Sequence, residues 1–238
     1  MKTILFQGDS ITDCHRYREA TDNKQSSIAL FSGGKLIRKV TDMGEGYPKL
    51  VSQELEKNVP GTYKFYNRGV SGDRIPDVYA RIVKDIIKLK PDYMSLLVGV
   101  NDVWRNFDSE GTGTGTVRFE KVYNMLIEEL KEEFPELKII IMGPFLLHGI
   151  ASDNRPDEPD RFEKFSAGVA EMAAIAKKLA EKYGCKFVDL QAMFDEAVKT
   201  TPAIELTGDG VHPTLKGHEL IKEEWLKAFS EITAGEIV

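Results

Sequence analysis

Five short apolar runs set the tightest limit on how this chain folds. They are Lys2–Phe6 (KTILF), Tyr63–Tyr66, Tyr93–Val98, Lys138–Met142 and Cys185–Leu190. Helix-patterned sequence separates most of them. A strand that is apolar at nearly every position is buried on both faces, which is the mark of a parallel sheet covered by helices on each side. Helical spacing predicts helices over 47–58, 75–89, 117–134, 159–183, 191–199 and 214–229. Pro48 stands near the start of the first, Pro91 follows the second, and Gly184 closes the fourth as a C-cap. Residues 13–45 read as a polar loop with Gly33-Gly34 inside it. No repeat or linker composition divides the 238 residues, so one domain spanning 1–238 is expected.

Bulk composition narrows the partners. Apolar residues make up 42% of the chain, enough for a sizeable core, and the formal net charge is −6. That balance disfavours nucleic acid and anionic membranes. Cys14 and Cys185 lie far apart and form no C-x-x-C, so a reduced, cytoplasmic setting is the simplest reading. The N-terminus lacks the apolar length and small-residue cleavage site of a signal peptide. The longest apolar stretch, KIIIMGPFLLHGI, is cut by Gly143 and Pro144 and is too short to span a bilayer. A soluble protein retained in the cell is expected; its oligomeric state, a homo-oligomer included, stays open.

Chemistry-bearing residues gather where strands end. GDS occupies 8–10, NRGVSG 67–72 and GVND 99–102, while DGVHP at 209–213 precedes the last helix. In a parallel sheet all carboxyl ends point one way, and open α/β folds bind ligands there. Acyl transfer needs a serine, a base beside it, a carboxylate to orient that base, and donors for the oxyanion. Ser10 is able to attack and His212 to accept its proton. Asp209, three residues earlier, is close enough to orient the imidazole, and Pro213 biases His212 toward an extended conformation. Gly72 lets its backbone N–H approach a substrate, and Asn101 carries a side-chain NH₂. Taken singly, each has a plainer explanation: Asp209 as a cap, His212 as a solvated loop residue, Gly72 as a turn, Asn101 as an Asx turn. Four such groups at matching positions favour the functional explanation.

Other candidates are weaker. GTGTGT at 111–116 has no G-K-[ST] and does not follow directly on a strand, so it reads as a flexible surface loop rather than a phosphate loop. His15 beside Cys14 has no supporting pattern for a cysteine enzyme. His148 reads as a surface residue and His218 as structural or exposed. Asp209 and His212 lack the further ligands of a metal site, so neither metal nor cofactor is expected.

The four blocks, in this order, resemble those of the SGNH or GDSL-type hydrolases. GDSIT carries the serine, with Ile11 where the namesake motif has leucine. NRGVSGD carries Gly72, GVND carries Asn101, and DGVHP carries Asp209 and His212. The resemblance spans nearly the whole chain and implies a flavodoxin-like three-layer α/β/α sandwich with cofactor-free ester hydrolysis. It further implies Ser10 as nucleophile, His212 as base and Asp209 as its orienting group. Gly72, Asn101 and the Ser10 backbone N–H would form the oxyanion hole. GDSITDC, GVNDVWR and DGVHPTLKGH look most like the bacterial acetylxylan and carbohydrate acetyl esterase branch. On that basis the expected partner is a small-molecule or oligosaccharide ester, with Asp9 and Trp104 as substrate-binding residues. The rivals are a short-chain lipid esterase, thioesterase or lysophospholipase on the same site, and a catalytically silent carbohydrate-binding protein.

Overall fold

Strand β1 (Lys2–Gly8) has parallel partners on both sides, β4 (Tyr63–Asn67) and β5 (Tyr93–Leu97). β6 (Lys138–Met142) and β7 (Lys186–Val188) extend the sheet in the order β4-β1-β5-β6-β7, all parallel. The computed structural model describes residues 1–17, 27–32, 35–107 and 111–233, with the backbone alone for 27–32 and 35–41. β1 sits where the strand order reverses: the chain leaves it for β4 on one side and then returns to β5 on the other. That is the position at which flavodoxin-type sheets open a ligand crevice.

The helices are α1 (Ser10–Asp13), α2 (Tyr47–Asn58), α3 (Ile75–Ala80), α4 (Ile82–Asp85), α5 (Val100–Trp104) and α6 (Thr116–Glu133). They continue as α7 (Arg161–Lys182), α8 (Leu190–Ala197), α9 (Ala203–Leu206) and α10 (Leu215–Ile232). α2 and α10 pack on each other over one face of the sheet, and α3, α6 and α7 cover the other. Alternation along the strands explains the division. Phe6 meets Tyr47 of α2 and Trp225 of α10 at ring-centroid distances of 5.8 and 5.3 Å, and Tyr93 meets Phe229 of α10 at 4.9 Å. Leu5, Leu96 and Ile141 are equally sealed, which is why these strands carry no polar face. Among the described residues no helix is long and apolar enough to cross a membrane.

Three expectations need correction. The polar loop predicted at 13–45 contains an antiparallel hairpin, β2 (Ser27–Ser32) and β3 (Lys35–Thr41), paired apart from the main sheet. β3 mixes Lys and Arg among its apolar residues, and the one apolar run of β2, residues 28–31, is short and set within a polar segment. The helix predicted over 75–89 keeps its buried stripe of Ile75, Val78, Ile82 and Ile86 but divides into α3, α4 and a 3₁₀ turn at Ile87–Leu89. The division comes at Arg81, whose N–H bonds to Val78 three residues back in 3₁₀ fashion, 3.1 Å. The last strand is shorter than predicted, three residues rather than the run to Leu190, because Leu190 already begins α8 under an Asp189 cap.

Candidate active site

Ser10 opens α1 just beyond the end of β1. Asp9 precedes it, and its Oδ1 accepts the Ile11 N–H at 3.0 Å, capping a helix of only four residues. Asn67, the last residue of β4, holds the neighbouring turn against this one. Its Nδ2 donates to the carbonyls of Thr12 (2.6 Å) and Met43 (3.0 Å), and its Oδ1 accepts from Gly69 N–H at 2.9 Å. The Ser71 N–H donates to Asp13 Oδ2 at 3.0 Å. The turn that carries Gly72 is thus tied to the turn that carries Ser10. Gly72 has φ +85°, the left-handed region that glycine occupies without penalty. Asn101, on α5, donates from Nδ2 to the Asp73 carbonyl at 3.1 Å, one residue from Gly72. A primary amide has two N–H bonds, and this contact uses one of them.

The late loop completes the arrangement. Ser10 Oγ lies 2.9 Å from His212 Nε2, and His212 Nδ1 lies 2.7 Å from Asp209 Oδ2. Asp209 Oδ1 accepts the backbone N–H groups of Val211 (2.9 Å) and His212 (2.8 Å). Half-burial works against ionisation of this carboxyl, but the bond from the His212 ring and the two backbone donors outweigh it and hold it at about 2. The same carboxylate pushes His212 upward from 6.5, with burial partly opposing. With Asp209 ionised, Nδ1 carries the proton and Nε2 presents its lone pair to the serine hydroxyl. This chain of bonds is able to take a proton from Ser10 and to hold the resulting imidazolium. The imidazole remains 44% exposed, so a substrate reaches it from solvent.

A second loop, following β6, carries the Asp209 segment. Leu147 N–H donates to the Gly210 carbonyl and Ala151 N–H to the Asp209 carbonyl, each at 2.9 Å. A Cβ placed on Gly149 would stand 2.3 Å from the Asp209 carbonyl carbon. Ser152 Oγ ties the loop to itself through the Leu147 carbonyl at 2.6 Å, and the buried Arg161 donates Nε to the Ala151 carbonyl at 3.0 Å. No motif marks this loop; its one sequence signal is a glycine and a serine, Gly149 and Ser152, following an apolar run.

Ser10, His212, Asp209, Gly72 and Asn101 therefore meet at one edge of the sheet, as the strand-end argument expects. Asp9 is a correction. It is fully buried, turns inward to cap α1, and cannot touch a substrate. Burial raises its carboxyl to about 7 against the pull of the Ile11 N–H and His212. Asp102, a buried residue of α5, is raised to about 7 as well, first by burial and further by the charge of Asp9. Trp104 is half-buried, its ring 5.9 Å from both His212 and Phe165. His148 is exposed, bonded to Asp153 Oδ1 at 2.8 Å and stacked on Phe162. His218 is buried: Nδ1 accepts the Tyr47 N–H at 3.2 Å, and Nε2 lies 3.4 Å from Cys14 Sγ. The GTGTGT segment is not wholly a surface loop, since Thr114 is buried and its N–H donates to the Asp102 carbonyl at 2.8 Å.

By sheet order and by the layout of its strand-end blocks, this is an α/β protein of the SGNH hydrolase type. The model of the GDSL-like lipase/acylhydrolase family matches residues 6–220. An acetylxylan esterase of Geobacillus stearothermophilus is 31% identical over 226 residues, covering 94% of this chain and 92% of the relative. The crystal structure of Axe2, an acetylxylan esterase from Geobacillus stearothermophilus, superposes with a TM-score of 0.74 at 29% identity, covering 95% of this chain and 93% of that one. A structure assigned as a GDSL-like lipase from Parabacteroides merdae gives 0.80 at 32% identity, covering 95% and 94%. The chain belongs to the GDSL-like lipase/acylhydrolase family, and at that level it is a carboxylic ester hydrolase.

Proposed function

We propose that this protein is a serine esterase that removes acetyl groups from acetylated sugars or xylo-oligosaccharides. The unbroken hydrogen-bonded series Ser10 Oγ, His212 Nε2, His212 Nδ1, Asp209 Oδ2, at 2.9 and 2.7 Å, carries this reading. Ser10 Oγ attacks the acetyl carbonyl carbon as its proton passes to His212 Nε2. The oxyanion is met by the N–H groups of Ser10 and Gly72 and by the remaining N–H of Asn101. The imidazolium then protonates the departing sugar oxygen. Water, activated by the same imidazole, releases acetate and restores the serine. No metal or cofactor takes part in this scheme.

The carbohydrate assignment draws on the acetylxylan esterases among the relatives and on Trp104, whose ring borders His212 where the sugar would lie. An aromatic face suits the apolar face of a pyranose ring. The test is a hydrolysis panel of p-nitrophenyl esters of increasing chain length, followed by acetylated xylo-oligosaccharides. Highest kcat/KM on acetyl esters, with acetate released from the oligosaccharides, is the expected result. Higher values on octanoyl or longer esters would make it a lipid esterase instead.

A further inference from the structure

We propose that Arg105 is a further member of this site: its guanidinium supplies a fixed positive charge beside the oxyanion donors, for the tetrahedral acyl anion and for product acetate. The inference rests on the esterase reading above for its first role, whereas the acetate role stands on the geometry.

Arg105 caps α5 one turn after Asn101, and its N–H bonds to the Asn101 carbonyl at 3.1 Å. Residues four apart share one face of a helix, so the two side chains leave α5 in the same direction. Asn101 reaches the Asp73 carbonyl, and Arg105 reaches the adjoining Gly72. A Cβ on Gly72 would lie 2.7 Å from Arg105 Nη2, with nothing else nearer than the guanidinium carbon at 4.0 Å. The amide nitrogen and that Cβ position share one Cα, so Nη2 is no more than about 5 Å from the Gly72 N–H. Gly72 is glycine for its left-handed φ, and the absent side chain leaves the space in which the guanidinium lies against its Cα. An oxyanion bound by the Gly72 N–H would feel this charge at close range. So would the carboxylate of acetate occupying the same place. The anion already faces the His212 imidazolium across the site, and a guanidinium beside the oxyanion donors adds a second positive charge from the other side.

The test uses Arg105→Ala and Arg105→Lys, with thermal melting to establish that each folds. On p-nitrophenyl acetate, Arg105→Ala should lose about tenfold or more in kcat with KM little changed, less than the ~10²–10³ of a direct oxyanion donor. Arg105→Lys should keep part of that activity, and millimolar guanidinium ion should restore part of it to Arg105→Ala. Stabilisation of the resting protein by sodium acetate, read as a melting shift, should be present in wild type and reduced in Arg105→Ala. The acetate measurement needs no turnover. If the wild type hydrolyses no ester, the esterase reading fails while acetate binding still judges Arg105. If the wild type is active and Arg105→Ala keeps kcat within twofold with the same acetate shift, the Arg105 inference is overturned. An effect on KM alone, without guanidinium rescue, would also overturn it.

Discussion

Asp209 holds His212 at two points: its Oδ2 lies 2.7 Å from Nδ1, and its Oδ1 accepts the His212 backbone N–H at 2.8 Å. One carboxylate thus fixes the ring, its tautomer and the peptide that bears it. Asp209→Asn preserves the shape but can turn an N–H toward Nδ1, forcing the proton onto the nitrogen that faces Ser10. A fall in kcat/KM on the order of 10³–10⁴ is expected at neutral pH. The sign of the pH dependence follows from the shift. Asp209 raises His212 above 6.5, and the neutral ring is the base, so wild-type activity should climb through a midpoint above 6.5. In Asp209→Asn the deficit should shrink as hydroxide substitutes for the base. Paired pH–rate profiles on an acetyl ester read both effects.

Asn101→Ala removes a donor and leaves the proton relay intact. kcat should fall by ~10²–10³ with KM little changed, because the bond strengthens mainly in the transition state. Unlike that of Asp209→Asn, this deficit should stay nearly constant across pH. Initial rates at several pH values separate the two variants.

Gly149→Ala tests the loop beneath the Asp209 segment. The new methyl would meet the Asp209 carbonyl carbon at 2.3 Å, and both sides of the contact are backbone. The segment must shift, at a cost of about 1–3 kcal/mol in stability. A lower melting temperature together with reduced kcat on p-nitrophenyl acetate is expected. A lower melting temperature with unchanged kcat would show that the loop supports the fold and not the position of Asp209.

Asp102→Asn concerns stability. Burial, with the charge of Asp9, raises Asp102 from 3.8 to about 7 in the folded protein. The folded carboxyl keeps its proton where the unfolded one has released it. Its contribution is therefore fully present below pH 3.8 and is lost as pH rises to about 7. Asparagine cannot ionise. The melting temperature of Asp102→Asn relative to wild type should thus rise between pH 5 and pH 8, by at least about 2 °C.

The core strands could be read from the chain because their residues are apolar on both faces; Phe6 and Leu5 point to opposite faces and are both sealed. The β2–β3 hairpin pairs apart from the main sheet, and its one apolar run, residues 28–31, sits inside a stretch whose polar composition reads as loop. The stripe from Ile75 to Ile86 was legible as buried, but apolar periodicity gives no sign of the 3₁₀ bond at Arg81 that divides the helix. At the site, Ser10, Asn101, Asp209 and His212 were marked by their motifs. Asp9 was misread because a carboxylate beside a nucleophile gives no sign of which way it turns. Arg105 closes the GVNDVWR block, but that block gives no sign of its contact with Gly72, and the contact of Gly149 with Asp209 joins segments distant in sequence that no local pattern encodes.

The most direct measurement concerns Ser10. The protein is treated with a small organophosphate such as paraoxon, and activity on p-nitrophenyl acetate is followed beside intact mass and peptide mapping. The expected result is loss of activity in step with one diethylphosphoryl adduct on the peptide bearing Ser10, with Ser10→Ala both unlabelled and inactive. Slower labelling in His212→Ala would accompany it, since the base that activates the hydroxyl is gone. Full activity in Ser10→Ala, or inactivation with the adduct on another residue, would contradict Ser10 as the nucleophile.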